Sequence, residues 1–477
     1  MAANDSDLVS SGIAGLDEIL RGGFRRNQLY LVEGGSGAGK TTLALQFLLA
    51  GVRAGERALF LGFSESPRDL ERIARSHGWS LDGVAARRIG ASGQGETRYT
   101  LFPASEVELQ ALLEEITQAV EAERPQRLVM DPVSALRWFT ADYFEYRRCL
   151  ETLRRTLAER SCTTLLLDDE SSTEPQFRVR GLADGVLVLR AETDEWGFAR
   201  RRIAIEKARG IAVAGGLHDC RLATGGLVVF PRADCWAAAA PERLPDDAPL
   251  LVDTADFGAA LGGGLPWGSS VLLAGPSGSG KSRVAMTWSR GVLARGRSVL
   301  YLSLDEPLAD ERGDPDGLAE AAAAQGANGA SLLLERIDCT VSAGELASRV
   351  RAAAEAHGAP LGMVVLDGLA GYRRLAGSTT GMESHLRRLI RFLEPRGIIA
   401  LALLTERGVL GPIESDIDVS FLFDVVLLTR FFRGERGLHR SIAVVKHRRF
   451  NHERTVRELL ISEEGVALSA PLQGGVC

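Results

Sequence analysis

Two stretches of this chain could do chemistry: Gly34-Gly35-Ser36-Gly37-Ala38-Gly39-Lys40-Thr41 and Gly275-Pro276-Ser277-Gly278-Ser279-Gly280-Lys281-Ser282. Both fit G-x-x-x-x-G-K-[ST], in which glycines let consecutive backbone N–H groups close around phosphate oxygens. Lys40 and Lys281 would reach β- and γ-phosphates, and Thr41 and Ser282 would hold Mg²⁺. Thr42 and Arg283 come next as candidate nucleotide-binding residues, and helix-like runs open there (Thr42 to Ala50; Val284 to Leu293), whose N-termini add positive potential toward an anion. Each loop also follows a strand-like run, Leu29 to Glu33 and Val271 to Ala274. One match alone could be a glycine-rich turn. Two matches in the same context leave that reading negligible.

Carboxylates recur at matching places. The apolar run Ala58 to Phe63 ends at Ser64-Glu65, and Val299 to Leu304 ends at Asp305-Glu306. Glu306 follows Glu65 by 241 residues, the spacing that also separates Lys281 from Lys40 and Gly264 from Gly23. An acid just past the strand beside a P-loop can orient or deprotonate a water. The plainer alternative is a helix-start acid favoured by the helix dipole. Recurrence in register favours the catalytic reading for Glu65 and for Asp305 with Glu306. Further on, Arg127-Leu128-Val129-Met130-Asp131 and Met363-Val364-Val365-Leu366-Asp367 are apolar runs ending in aspartate, so Asp131 and Asp367 join Thr41 and Ser282 as candidate Mg²⁺ residues. Glu170 and Glu406, after the runs Thr163 to Leu167 and Ile398 to Leu404, read as solvated loop acids rather than γ-phosphate sensors.

The lysine count is the sharpest compositional signal. Lysine and arginine total 56, yet the only lysines are Lys40, Lys207, Lys281 and Lys446. Two belong to the P-loops. The others end matching strand-like runs, as Lys207-Ala208-Arg209 and Lys446-His447-Arg448. A basic strand end ordinarily discourages edge pairing, but retention of a compact ammonium where arginine serves elsewhere suggests a charge placed against phosphate.

These residues need elements to position them. Apolar strands alternate with helical runs (Ser105 to Glu123, Tyr143 to Leu157, Met382 to Leu393), which implies α/β domains with mostly parallel sheets and helices on both faces. A capping box is expected at Ser105-x-x-Glu108, and Pro67 suits the first turn of a helix. The 241-residue spacing marks a domain-scale tandem repeat, with a first domain over 1–235, a linker over 236–250 and a second domain over 251–477. At 477 residues, with 45% hydrophobic and 25% charged content, two globular cores are affordable. No apolar run reaches membrane-span length, and Met1 to Asp5 lacks secretory-signal character, so a cytoplasmic location is expected. The six cysteines have no C-x-x-C spacing and read as reduced thiols. A net charge of -6 argues against nucleic acid as the main partner.

The order of motifs resembles the KaiC-like family of RecA-superfamily ATPases over nearly the whole chain. The pattern is Gly15-Leu16-Asp17 through Gly22-Gly23 upstream, then P-loop, acid after the next strand, Asp at a strand end, and a terminal K-x-R. The resemblance implies two tandem RecA-like P-loop NTPase domains, ATP and Mg²⁺ as ligands, and a six-chain double ring with ATP between neighbours. It also implies that Lys207 with Arg209, and Lys446 with Arg448, act in trans on the neighbour's nucleotide. Three departures stand out. The first half has Ser64-Glu65, and the second Asp305-Glu306, where the clock protein of the family has paired glutamates. Ser420-Phe421 replaces that protein's adjacent Ser and Thr phosphorylation sites, leaving Ser420 as the one candidate phosphosite. The tail Glu463 to Cys477 is short for tail-mediated partner binding.

The leading expectation is a regulatory ring ATPase acting on an unidentified protein partner, with weak serine autokinase activity as an option. The alternatives are a RecA-type DNA-dependent ATPase, which would need a concentrated basic or aromatic face, and an ATP-binding scaffold with little turnover.

Overall fold

The computed structural model describes residues 7–90, 104–140, 142–169, 179–194, 196–236, 255–304, 327–356, 358–406, 419–434, 437–462 and 465–472, without side chains at 104–108 and 255. The chain divides into two compact units, Met1–Pro231 and Arg232–Cys477. The division falls slightly before the expected domain end at 235. Trp236 explains it, because its ring packs edge-on against Phe392 at 4.7 Å and under the Arg351 guanidinium at 5.1 Å. Most of the expected linker lies outside the described residues.

Among the described residues each unit is built on a nine-stranded sheet. From edge to edge the first runs Gly226–Phe230, Leu217–Ala223, Ala199–Ala208, Gly185–Thr193, Leu29–Gly34, Thr163–Asp168, Arg127–Asp131, Ala58–Gly62 and Val84–Arg88. The six strands from Gly185–Thr193 onward are parallel, and the other three join antiparallel. The second unit repeats this around Ser270–Pro276, with Val425–Gly434 on one side and Ile399–Glu406 on the other. Its antiparallel edge is Gly437–His447, Arg457–Ser462 and Gly465–Pro471. The mostly parallel expectation holds, with an antiparallel extension that alternation alone did not announce.

The P-loop strand Leu29–Gly34 is buried throughout because both faces are covered. Leu29 and Leu31 join the core beneath helices Ala104–Glu123 and Tyr143–Glu159, while Tyr30 and Val32 join that of helix Lys40–Arg53. Such double burial requires an unbroken apolar run. Truncating Leu31 to alanine would cost about 2–5 kcal/mol. Buried Arg127 clamps the same helix to the sheet, donating to the Phe47 carbonyl at 2.8 Å and pairing with Glu56 at 2.5 Å. Gly15, in the upstream helix Ala14–Ile19, has no room for a side chain: a Cβ there would stand 2.0 Å from the Val229 carbonyl oxygen.

Candidate functional site

Both P-loops turn directly into helices, Lys40–Arg53 and Lys281–Ala294. The residues capping them, Gly39 and Gly280, have φ of 108° and 96°, a region glycine enters without strain. The lysines bend back over their own loops. Lys40 Nζ donates to the carbonyls of Gly34 (2.7 Å) and Gly35 (3.2 Å) and pairs with Asp169 (2.6 Å). Lys281 Nζ donates to Gly275 and Pro276, each at 2.9 Å. Among the cradle's other residues, Ala38 and Ser279 are buried, and the Ser279 hydroxyl meets Thr429 Oγ1 at 2.7 Å. Gly37 and Gly278 complete the turns with φ of 73° and 76°.

Behind each lysine a hydroxyl faces an aspartate: Thr41 Oγ1 donates to Asp131 at 3.1 Å, and Ser282 Oγ to Asp367 at 3.2 Å. A hydroxyl beside a carboxylate at a strand end is a hard-oxygen donor set that suits Mg²⁺. Among the described residues no cluster of three or more His, Cys, Asp or Glu forms an all-protein metal cage.

The aspartates differ in their company. Tyr301, on strand Ser298–Ser303, donates its hydroxyl to Asp367 at 2.5 Å. The matching first-half position is Phe60, and there Asp131 instead has the Glu65 carboxyl for a neighbour. Burial, then the Glu65 charge, pushes the Asp131 carboxyl up to about 7, and burial raises Glu65 as well. One Glu65 oxygen is buried without a hydrogen-bond partner. The Glu65 strand leads into helix Pro67–Ser76, capped by Ser66 and Asp69, with Pro67 in the first turn as expected. Asp305 and Glu306 lie outside the described residues, as do Glu170 and the side chains of the Ser105–Glu108 box. Glu406 corrects the solvated reading: it is half-buried, one of its oxygens lacks a partner, and burial raises its pKa against the pull of Arg430 and Lys281. Thr42 reaches His77 at 3.3 Å, and Arg283 occupies the first turn of its helix.

Lys207 and Lys446 sit elsewhere. Lys207 lies across from Val186, which lies beside Leu31, three residues before Gly34. That is roughly 10 Å back along the sheet. Lys446 is likewise across from Val426, beside Leu272, three residues before Gly275. Their ammonium groups donate to backbone carbonyls of short turns, Lys207 to Arg180 (3.0 Å) and Lys446 to Ser420 (2.9 Å). Arg209 and Arg448 pair with Asp184 (3.3 Å) and Asp424 (3.6 Å), which fasten to the start of each P-loop strand through Leu29 and Ser270. The same clasp is built twice, at the sheet end away from its own loop.

A family model described as the KaiC ATPase matches residues 9–234 and again 253–473. The chain belongs to the KaiC ATPase family. It is 24% identical over 476 residues to the circadian clock protein KaiC3 of Synechocystis sp., covering 98% of this chain and 92% of that one. It is 26% identical over 471 residues to the circadian clock protein KaiC2 of the same organism, covering 96% and 80%. A UPF0273 protein of Aeropyrum pernix is 30% identical over 239 residues, 47% of this chain and 94% of its own length. The protein is thus a nucleotide-binding ATPase of KaiC type, with two RecA-like domains. Among the described residues, no helix is long and apolar enough to cross a membrane.

Within this KaiC-type site, sequence reasoning missed Asp169, Tyr301 and the Asp184/Asp424 clasps. Asp184 and Asp424 recur at a spacing of 240, so a search for duplicated acids would have found them. His447 belongs here too. Its Nδ1 accepts from the N–H groups of Arg449 (3.3 Å) and Phe450 (3.1 Å), turning the chain just after Lys446. An accepting ring nitrogen carries no proton, and burial lowers the His447 pKa below its ordinary 6.5. A depressed histidine contributes stability above its unfolded pKa that is lost as pH falls through the folded one. Acidification below about pH 6.5 is expected to lower the thermal midpoint, and His447→Gln to flatten that dependence. An unchanged slope in the variant would refute the assignment.

Proposed function

We propose that this KaiC-type protein hydrolyses ATP as a homohexameric double ring whose nucleotide state is read by a regulatory protein partner. The observation that supports this best is the doubled arrangement of an ATP cradle at one end of each sheet and a Lys–Arg pair at the other. Neither ammonium is placed to serve its own loop, while subunits stacked head to tail bring unlike surfaces together.

In this reading Lys40 and Lys281, with the loop N–H groups, bind the phosphates. Thr41 with Asp131, and Ser282 with Asp367, would hold Mg²⁺, which when bound neutralises charge on the phosphate oxygens. Glu65, and Glu306 in the second half, accept the proton of the attacking water as its oxygen bonds to phosphorus and the bridging P–O bond breaks. Lys207 and Arg209, or Lys446 and Arg448, meet that charge from the neighbouring chain.

ATP held between chains favours the ring by mass action. Light scattering with ATP and Mg²⁺ is expected to show a rise to roughly six-chain mass. A monomer at saturating ATP would sink the ring. Ser420 lies in a turn at the sheet end away from its own P-loop, where its carbonyl accepts from Lys446. Phosphate transferred there would come from a neighbouring chain's ATP. Labelled ATP should mark Ser420 at most, because Phe421 cannot be a second acceptor; two adjacent labelled residues would contradict this.

A further inference from the structure

The two clasps are not identical, and the difference touches the P-loop. Glu33 is the residue before Gly34, and its buried carboxylate pairs with the Arg180 guanidinium. Arg180 also pairs with Glu206 at 2.6 Å. Its backbone carbonyl is the one that receives the Lys207 ammonium at 3.0 Å, with the Gly181 carbonyl at 3.5 Å. One short chain of contacts therefore joins the strand end that carries the ATP cradle to the lysine at the far end of the sheet. The second half keeps the terminal contact, Lys446 to Ser420, and lacks the rest: Ala274 stands at the position of Glu33, and Ser420 at that of Arg180.

We propose that Arg180, anchored by Glu33, is a positioning residue for Lys207, so that the first-half P-loop strand of one chain sets the aim of the ammonium delivered to its neighbour's ATP. The inference rests on Lys207 acting in trans. Its physical basis is that a pair between a buried carboxylate and a guanidinium holds its geometry more tightly than exposed pairs do. Arg180 has little freedom to shift its carbonyl while Glu33 and Glu206 both hold its side chain. A small displacement of the Gly34 end of the strand is passed to the turn Val179–Gly181 and thence to Lys207. Among the described residues of the second half no acid–arginine pair stands at these positions, so the coupling is assigned to the first ring.

The test uses mixed rings of two full-length chains, both carrying Lys446→Ala to silence second-half turnover. The acceptor chain carries Lys207→Ala with an intact P-loop. The donor chain carries Lys40→Ala with an intact Lys207. First-half turnover then arises only where the donor's Lys207 meets the acceptor's ATP. Glu33→Gln, which keeps shape and removes charge, is added to one chain or the other. Placed in the donor, it is expected to lower kcat roughly three- to tenfold with KM for ATP unchanged, the scale of coupling between contacting residues. Placed in the acceptor, it is expected to change nothing. Arg180→Met gives the same pair of outcomes from the turn, should the buried substitution impair folding. A deficit that follows the acceptor chain would show that Glu33 serves its own P-loop, overturning the relay while leaving trans action intact. Equal rates in all mixtures would also overturn it. Absence of any turnover in unmodified mixed rings would instead reject the trans reading beneath it.

Discussion

Glu65→Gln, in a chain whose second P-loop is disabled by Lys281→Ala, is expected to bind ATP normally at the first P-loop and to release phosphate on the order of a hundredfold more slowly. Glu65 follows the strand next to that of Asp131, and its carboxyl lies beside the Asp131 carboxyl. Burial raises its proton affinity above that of an ordinary glutamate. A base with a raised pKa accepts a proton with more driving force than a fully exposed one. Gln retains the shape and cannot take the proton, so the loss should fall on kcat and leave KM nearly unchanged. Asp131→Asn is the contrasting variant, since it removes a candidate Mg²⁺ residue and should raise the Mg²⁺ concentration needed for turnover. In the intact chain, Glu306→Gln should remove more of the total turnover than Glu65→Gln. Asp305 beside Glu306 adds a like charge that raises a neighbouring pKa, whereas Ser64 adds none. Phosphate release ranked the other way would reject that assignment.

What could be read in advance was local. A P-loop and the helix it starts are contiguous, so Lys40, Thr41, Lys281 and Ser282 are legible from order alone. Asp131 and Asp367 were legible because each ends an unbroken apolar run, as double burial requires. Pairings across the sheet were hidden because they depend on register, which no single strand encodes. Asp169 lies 129 residues from Lys40 and just past the strand Thr163–Asp168, so nothing local in the chain marks it as a partner of the P-loop lysine. Tyr301 read as one more apolar strand residue, and only the register that sets Tyr301 one pair short of the Leu302–Leu366 rung brings its hydroxyl to Asp367. Lys207 and Lys446 form the intermediate case. Their scarcity flagged them, yet their distance from their own loops came only from the pairing of Val186 with Leu31 and Val426 with Leu272. Glu33 was the hardest to see. It continues an apolar run where a charged residue has no evident use, until Arg180 arrives from 147 positions later in the chain.

The largest effect should come from Lys446. In the second half its ammonium is held at 2.9 Å by the Ser420 carbonyl, and burial with the nearby Arg448 charge lowers its pKa. An ammonium in that setting is already partly stripped of water, so little reorganisation is needed before it meets a phosphate oxygen. Basic groups supplied from a neighbour to a phosphoryl transition state are worth roughly 10³–10⁵ in kcat. Lys446→Ala alone should therefore reduce second-half turnover nearly to background, as should Lys281→Ala alone through lost phosphate binding. The two defects lie on opposite sides of one interface if the lysine acts in trans. Mixing the two chains before assembly, with Glu65→Gln in both to suppress the first half, creates interfaces that pair an intact Lys281 with an intact Lys446. Phosphate release should then partly recover, with a maximum near equal proportions and a decline when either chain dominates. Arg in place of Lys446 should recover less, because a planar fork does not occupy the space of a compact ammonium on a turn carbonyl. Rings shown by mass to contain both chains, and still inactive, would place Lys446 in its own subunit's architecture instead.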